Sequence, residues 1–231
     1  MEIQILQLLE GAKQARGLTV VIDVLRAFSL ECYLSAWGAA ELRPVSTLEE
    51  AFAWRARDPE VLLAGERGGA KCEGFDFGNS PWSIPTEAVR GRRVIHTTSA
   101  GTQGVTHAAG AEEIIAGSLV NAAAAAAYIR ARRPETVSLV CMGNAGVREA
   151  PEDVLCAAYI RSLVLGEPIP DLETRIAELR YRGGAHFFNP ETQQIYPEPD
   201  FWLCTKRDIF PFVLRVKRDE LGLYMEKVDV I

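Results

Sequence analysis

Leu18-Thr19-Val20-Val21-Ile22-Asp23 is an apolar, β-branched run that stops on a carboxylate, and it reads as a buried strand. Residues 27–37 follow as a helix with Leu30, Leu34 and Trp37 on one face. The alternation continues outward from this pair. A short strand falls near 41–45, and Ser46-x-x-Glu49 and Thr47-x-x-Glu50 are overlapping capping boxes for a helix to about Arg57. Val61–Ala64 is a strand, and Ser80 before Pro81 has the form of a helix start. Strands at 93–97, 113–115 and 136–142 are followed by helices to about Ala109, over 120–132 and over Pro151–Leu165. Strands alternating with helices predict a largely parallel or mixed sheet covered by helices.

From about residue 168 the pattern changes. A helix near 171–181 leads into an aromatic, proline-rich stretch that includes Phe187, Phe188, Tyr196 and Trp202. Two strands joined at Leu221-Gly222 close the chain. No linker or repeat interrupts residues 1–231, so one domain is expected.

Composition narrows the function classes. The chain has 231 residues, 48% of them hydrophobic, enough for a sizeable core. Its net charge of −6 argues against nucleic acid and anionic membranes as partners. Met1-Glu2-Ile3-Gln4 does not read as a secretory signal, and no run of about 18 apolar residues occurs. The five cysteines form no Cys-x-x-Cys pair and fit reduced thiols in a cytoplasm. Four read as core residues, and Cys72 stands apart in a glycine-rich loop.

That loop, Gly65-Glu66-Arg67-Gly68-Gly69 through Asn79-Ser80-Pro81, is too rich in glycine to be explained by core packing. It follows one strand, and other strands run into comparable clusters. Strand 18–22 ends at Asp23 and Arg26. Strand 93–97 ends at Thr98-Ser99-Ala100-Gly101-Thr102. Strand 137–142 ends at Gly143-Asn144-Ala145-Gly146, with Glu152-Asp153 at the next helix start. Ligands of such sheets bind beyond the carboxyl ends of the strands, so these clusters are expected to share one rim.

The rim residues suit an anion held beside a hard cation. Arg26 and Arg67 offer forked donors to phosphate, sulfonate or carboxylate. Helix starts at Asn79–Ser80 and Thr98–Thr102 offer free backbone N–H groups. Asp23, Glu66, Asp76, Glu152 and Asp153 are hard oxygen donors of the kind Mg²⁺ takes together with substrate phosphate. Each has a plainer reading as a helix cap, ion pair or dipole partner. The ATP P-loop, the Gly-x-Gly-x-x-Gly dinucleotide loop and the Gly-x-Ser-x-Gly elbow are absent. Cys141 and Arg148 stand one residue too far apart for a cysteine-phosphatase loop. His96, His107 and His186 are scattered, and His96 within an apolar strand reads as a core residue.

Val-Ile-Asp23-Val-Leu-Arg26-Ala, Ala-Gly-Glu66-Arg67-Gly-Gly, Gly74-Phe-Asp76-Phe-Gly-Asn79-Ser80-Pro81 and Thr97-Thr98-Ser-Ala-Gly101-Thr102 together resemble the 2-phosphosulfolactate phosphatase family (ComB-like). The resemblance continues through Gly117-Ser118-Leu-Val-Asn121 and Cys141-Met-Gly143 to Glu152-Asp153-Val-Leu-Cys156. It implies a three-layer α/β/α fold and a Mg²⁺-dependent phosphatase. The family substrate is 2-phospho-3-sulfolactate, hydrolysed to 3-sulfolactate and phosphate in coenzyme M biosynthesis. Two departures stand out: Phe28-Ser29 where the family has threonines, and Ser99-Ala100 where it has Thr-Asn.

On this reading Asp23 and Glu66 hold Mg²⁺, with Asp153 or Asp76 assisting, and Asp76 is a candidate general base or nucleophile. Arg26 and Arg67 bind the substrate's anionic groups, and Asn79, Ser80, Thr98, Gly101 and Thr102 cradle phosphate. A small anionic phosphorylated substrate is the expected partner, and a homodimer is left open. A non-catalytic anion- or metabolite-binding protein on the same fold is the alternative, motivated by the two altered loops. A kinase-like or lyase enzyme is a third, weaker reading.

Overall fold

The computed structural model describes residues 1–230. Its elements run β1 (Glu2–Gln7), α1 (Leu8–Gln14), β2 (Gly17–Ile22), α2 (Ala27–Ala36), β3 (Glu41–Pro44) and α3 (Leu48–Arg57). They continue as β4 (Leu62–Arg67), β5 (Ala70–Lys71), α4 (Thr86–Val89), β6 (Arg93–Thr97), α5 (Gly101–His107) and β7 (Ala111–Gly117). Next come α6 (Ala122–Arg132), β8 (Thr136–Cys141), α7 (Pro151–Leu165), α8 (Leu172–Glu178), α9 (Glu198–Thr205), β9 (Phe212–Asp219) and β10 (Gly222–Asp229).

The ten strands form one mixed sheet in the order β1-β8-β2-β7-β9-β10-β3-β6-β4-β5. β1, β8, β2 and β7 are mutually parallel, as are β3, β6 and β4. The C-terminal hairpin β9–β10 lies between these groups and pairs antiparallel with β7 on one side and β3 on the other. The last strands of the chain thus complete the middle of the sheet.

β2 sits between β7 and β8, and all six of its residues are buried. Strand side chains alternate between faces. Leu18, Val20 and Ile22 pack with α6 and α7, and Val21 packs with α1, α2 and α5 on the other face. A smaller core beneath α3 joins Ala51 and Trp54 to Leu63 and Ile95. Helices therefore cover both faces, and the expected α/β/α layering holds. Burying each of the larger aliphatic side chains contributes about 1.5–3 kcal/mol.

Several local expectations are met atom by atom. Of the two overlapping capping boxes, Thr47 and Glu50 form the one at α3: Glu50 N donates to Thr47 Oγ1 at 3.2 Å, and Glu50 Oε2 accepts from Thr47 N at 3.3 Å. α7 starts on Pro151 and ends at Gly166, whose φ of 74° suits glycine.

Other expectations are revised. Ser80-Pro81 opens a turn, and the next helix is the short α4. The strand expected to stop at Ala64 runs on to Arg67 and folds back onto Ala70–Lys71. Cys72 is buried like the other four cysteines, all of them free thiols. β1 and α1, for which no element was expected, extend the sheet beside β8. Among the described residues no helix is long and apolar enough to cross a membrane.

Between α7 and β9 the chain wraps the end of the sheet in short helical turns. Phe187 and Phe201 anchor it in the α6/α7 core. Asp208 fastens it further: Oδ1 accepts from Ala123 N at 2.8 Å at the start of α6, and Oδ2 accepts from the Tyr159 hydroxyl at 2.6 Å. This segment lies over the carboxyl ends of β2, β4 and β8.

Candidate active site

A cavity of about 660 Å³ opens where those strand ends meet. Asp23 and Arg26 enter it from β2, Glu66 and Gly69 from β4, and Ser99 and Ala100 from the loop after β6. Gly143, Asn144 and Arg148 follow β8, Glu152 and Asp153 start α7, and Arg182, His186 and Tyr196 descend from the C-terminal segment.

Five carboxylates line this space; Asp23, Glu66, Glu152 and Asp153 are buried, and Glu149 is exposed. Asp23 Oδ1 accepts from Ala27 N at 3.1 Å at the start of α2. Burial, followed by the neighbouring Glu66 charge, pushes the Asp23 carboxyl up to about 6 against the pull of the Ala27 amide. Burial and the Asp23 charge push Glu152 up to about 7. Burial, then the charges of Asp23 and Glu152, hold Asp153 well above the ordinary carboxylate range. Asp23 is therefore the charge that the others share.

Two of the buried four also hold loops in place. Glu66 accepts from Ser99 N at 2.7 Å and Gly69 N at 2.6 Å. Asp153 accepts from Val24 N at 2.9 Å and Gly143 N at 2.8 Å, tying the ends of β2 and β8 together. Glu152 differs, because its Oε2 is buried without a hydrogen-bond partner. Gly183 lies directly over it, where a Cβ would overlap that oxygen. A buried unpartnered carboxylate oxygen is costly unless a cation or a proton joins it.

Arg26 lines the cavity, yet its donors are occupied by the protein. Nη1 donates to Asp200 Oδ2 at 2.7 Å and to Ile195 O at 2.9 Å, and Nη2 donates to Gly69 O at 3.2 Å. The guanidinium also lies 5.1 Å from the centre of the Tyr196 ring. Asn79 completes the wall, with its Oδ1 3.2 Å from His96 Nε2.

Other residues expected at the site lie elsewhere. Arg67 follows Glu66 on a strand, so it points to the opposite face. It bonds Glu66 O at 2.7 Å and Thr97 Oγ1 at 2.9 Å. Asp76 accepts from Leu63 N at 2.7 Å and pairs with Arg55 beneath α3. Ser80 donates to Asp200 Oδ1 at 2.9 Å. Thr98 and Thr102 cap one another: Thr98 N donates to Thr102 Oγ1 at 2.8 Å and Thr102 N to Thr98 Oγ1 at 3.2 Å. Gly101 packs behind Asp23, where a Cβ would come within 2.9 Å of Oδ2.

The family model described as 2-phosphosulpholactate phosphatase matches residues 3–219. The chain belongs to this family. A protein named probable 2-phosphosulfolactate phosphatase from Caldicellulosiruptor saccharolyticus is 41% identical over 226 residues, covering 90% of this chain and 91% of that one. A protein of the same name from Deinococcus radiodurans is 45% identical over 168 residues, 71% of this chain and 70% of its own. One from Bacillus subtilis is 28% identical over 215 residues, 92% of each chain. Membership in the 2-phosphosulpholactate phosphatase family places the chain among phosphoric monoester hydrolases.

The family motifs meet the cavity unevenly. Phe28 and Ser29, one of the two departures, are core residues: Phe28 is fully buried and Ser29 Oγ donates to Val24 O at 2.7 Å. The other departure, Ser99-Ala100, is on the cavity wall. Arg148, Arg182, His186, Tyr196 and Asp200 were not anticipated in site roles. Asn144 and Arg148 follow a strand end already noted for its glycines. The last four belong to the segment after residue 168, whose aromatic, proline-rich pattern marks no strand end, and only tertiary packing brings them to the rim.

Proposed function

We propose that this chain hydrolyses the phosphate monoester of a small, multiply anionic 2-hydroxy acid, with 2-phospho-3-sulfolactate as first candidate. The observation that carries this reading is the wall of four buried carboxylates converging on Asp23 inside a cavity that also bears arginines. Carboxylates alone repel a phosphate, so the wall implies a cation between them.

Mg²⁺ fits the donor set. The ligands are hard oxygens, Glu152 Oε2 lacks a partner, and the shared charge of Asp23, Glu152 and Asp153 is what a divalent ion would offset. Among the described residues no three His, Cys, Asp or Glu side chains form a ready cage. Mg²⁺ suits such a site, because it keeps several waters and takes one or two carboxylates plus substrate phosphate. Asp23 and Glu66 would hold it, with Asp153 and Glu152 beside them. When bound, it would neutralise charge on the phosphate oxygens.

The protein's own groups would do the rest. Glu66 would keep the Gly69 and Ser99 loops fixed along the cavity wall, since both backbone amides donate to it. Glu152, its carboxyl pushed up to about 7, would take a proton from an attacking water or return one to the leaving oxygen. Gly183 and Tyr196 cover the site and limit access of bulk water.

The test is phosphate release from a panel of 2-phospho acids with and without EDTA. Turnover that Mg²⁺ restores after EDTA, and that Asp23→Ala abolishes, is expected. Metal-independent turnover, or wild-type behaviour of Asp23→Ala, would sink the reading.

A further inference from the structure

Three arginines line the cavity, and their situations differ. Arg26 is buried and committed to Asp200, Ile195 O and Gly69 O. Arg148 and Arg182 are exposed at the mouth, and among the described residues neither guanidinium has an ion-pair partner. Arg67, the other cation expected to meet substrate, lies outside the cavity walls.

Two independent parts of the chain supply this unpaired pair. Arg148 stands on the loop between β8 and α7. Arg182 precedes Gly183, the residue that covers Glu152. Arg148 is close enough to His186 for its charge, after burial and together with Arg26, to lower that imidazole to about 4. His186 is therefore neutral at pH 7, and the positive charge at the mouth belongs to the arginines. Four of the lining carboxylates are buried and one, Glu149, is exposed beside Arg148, so an acidic base faces an entrance with two arginines against one carboxylate.

We infer that Arg148 and Arg182 form the subsite for a second anionic group of the substrate, a carboxylate or a sulfonate. The phosphate sits deep against the carboxylate floor, and the second anion stays at the mouth between the core loop and the C-terminal segment. Forked guanidinium donors suit both groups. This assignment rests on the phosphatase reading above, and it gives the enzyme a means of selecting among phosphate esters.

The experiment compares kcat/KM of wild type, Arg148→Gln, Arg182→Gln and the double variant on three esters. 2-Phospho-3-sulfolactate carries carboxylate and sulfonate, 2-phospholactate carries carboxylate alone, and ethyl phosphate carries neither. In the double variant the preference for 2-phospho-3-sulfolactate over ethyl phosphate is expected to fall at least about 30-fold. A comparable fall for 2-phospholactate assigns the subsite to the carboxylate, and its absence assigns it to the sulfonate. Calorimetry with 3-sulfolactate is expected to show a matching loss of affinity. An unchanged preference, or an equal loss on all three esters, overturns the inference. If wild type hydrolyses none of them, the phosphatase reading fails by itself, and unchanged 3-sulfolactate affinity in the variants would separately refute the subsite.

Discussion

Arg26 Nη1 donates to Asp200 Oδ2 at 2.7 Å, and both side chains are buried. The pair joins the first strand end of the site to a helix near the end of the chain. Asp200 does more than neutralise Arg26. Its Oδ1 accepts from Ser80 Oγ and Trp82 N, each at 2.9 Å, so one carboxylate holds three segments over the cavity.

Asp200→Ala is therefore expected to lower stability by about 3–5 kcal/mol, because it leaves the Arg26 charge buried and unpaired. Asp200→Asn keeps the shape and one acceptor and should cost less. Urea unfolding measures both, and an Ala variant within about 1 kcal/mol of wild type would refute the anchoring role.

Glu66 and Asp76 both read as catalytic carboxylates in the sequence, and the structure separates them. Glu66→Gln retains only one acceptor oxygen for two backbone amides, so turnover should fall by about 100-fold or more. Asp76→Asn weakens the contacts to Leu63 N and Arg55 and should cost about 1–2 kcal/mol of stability. Turnover per folded molecule should stay within about threefold. Kinetics and unfolding of the same two preparations decide the matter, and a large kcat loss in Asp76→Asn would restore it to the site.

Metal removal should make stability depend on pH through Asp23. Its folded value of about 6 lies above the ordinary 3.8, so the folded chain holds the proton more tightly. That contribution is fully present below about 3.8 and is lost as pH rises through about 6. In EDTA, Asp23→Asn should gain in stability relative to wild type between pH 4 and pH 7, by on the order of 2 kcal/mol. Paired thermal melts across this range test it. A difference that shrinks with rising pH would show the sign to be wrong.

Added Mg²⁺ should raise the wild-type melting temperature more at pH 7.5 than at pH 5, since the ion binds deprotonated ligands. Asp23→Asn should lose most of this increment. A Mg²⁺ effect equal at both pH values in differential scanning would contradict the carboxylate site.

His96 links the core to the site. Its Nδ1 lies 2.8 Å from Glu31 Oε1 and its Nε2 3.2 Å from Asn79 Oδ1. Glu31 and His96 are fully buried, so their replacements should be strongly coupled. A double-mutant cycle with Glu31→Gln and His96→Gln should give about 1–3 kcal/mol of interaction energy. Additive losses would mean that each side chain packs independently.

Much of this site is legible in the strand ends. Asp23, Glu66, Ser99, Gly143, Glu152 and Asp153 follow or end apolar runs, and a parallel sheet brings such positions to one rim. The side on which Arg67 falls was also readable, since adjacent strand residues face opposite ways. That argument fails only if the strand ends at Ala64, as the apolar run indicates. The hairpin to Ala70–Lys71 extends it by hydrogen bonds that no hydrophobic pattern records. Ser80 before Pro81 carries the form of a helix start, but Asp200, 120 residues away, takes its hydroxyl.

The sequence by itself determined the layered α/β architecture, the strand ends that meet and the family to which the chain belongs. These follow from local periodicity and from motifs read in order along the chain. Only the tertiary structure decided which charged side chains reach the cavity. It committed Arg26 to Asp200, turned Arg67 and Asp76 outward and brought Arg182, His186 and Tyr196 to the cavity wall. The reason is physical: a buried charge takes the nearest partner that packing supplies, and that partner can lie anywhere in the chain.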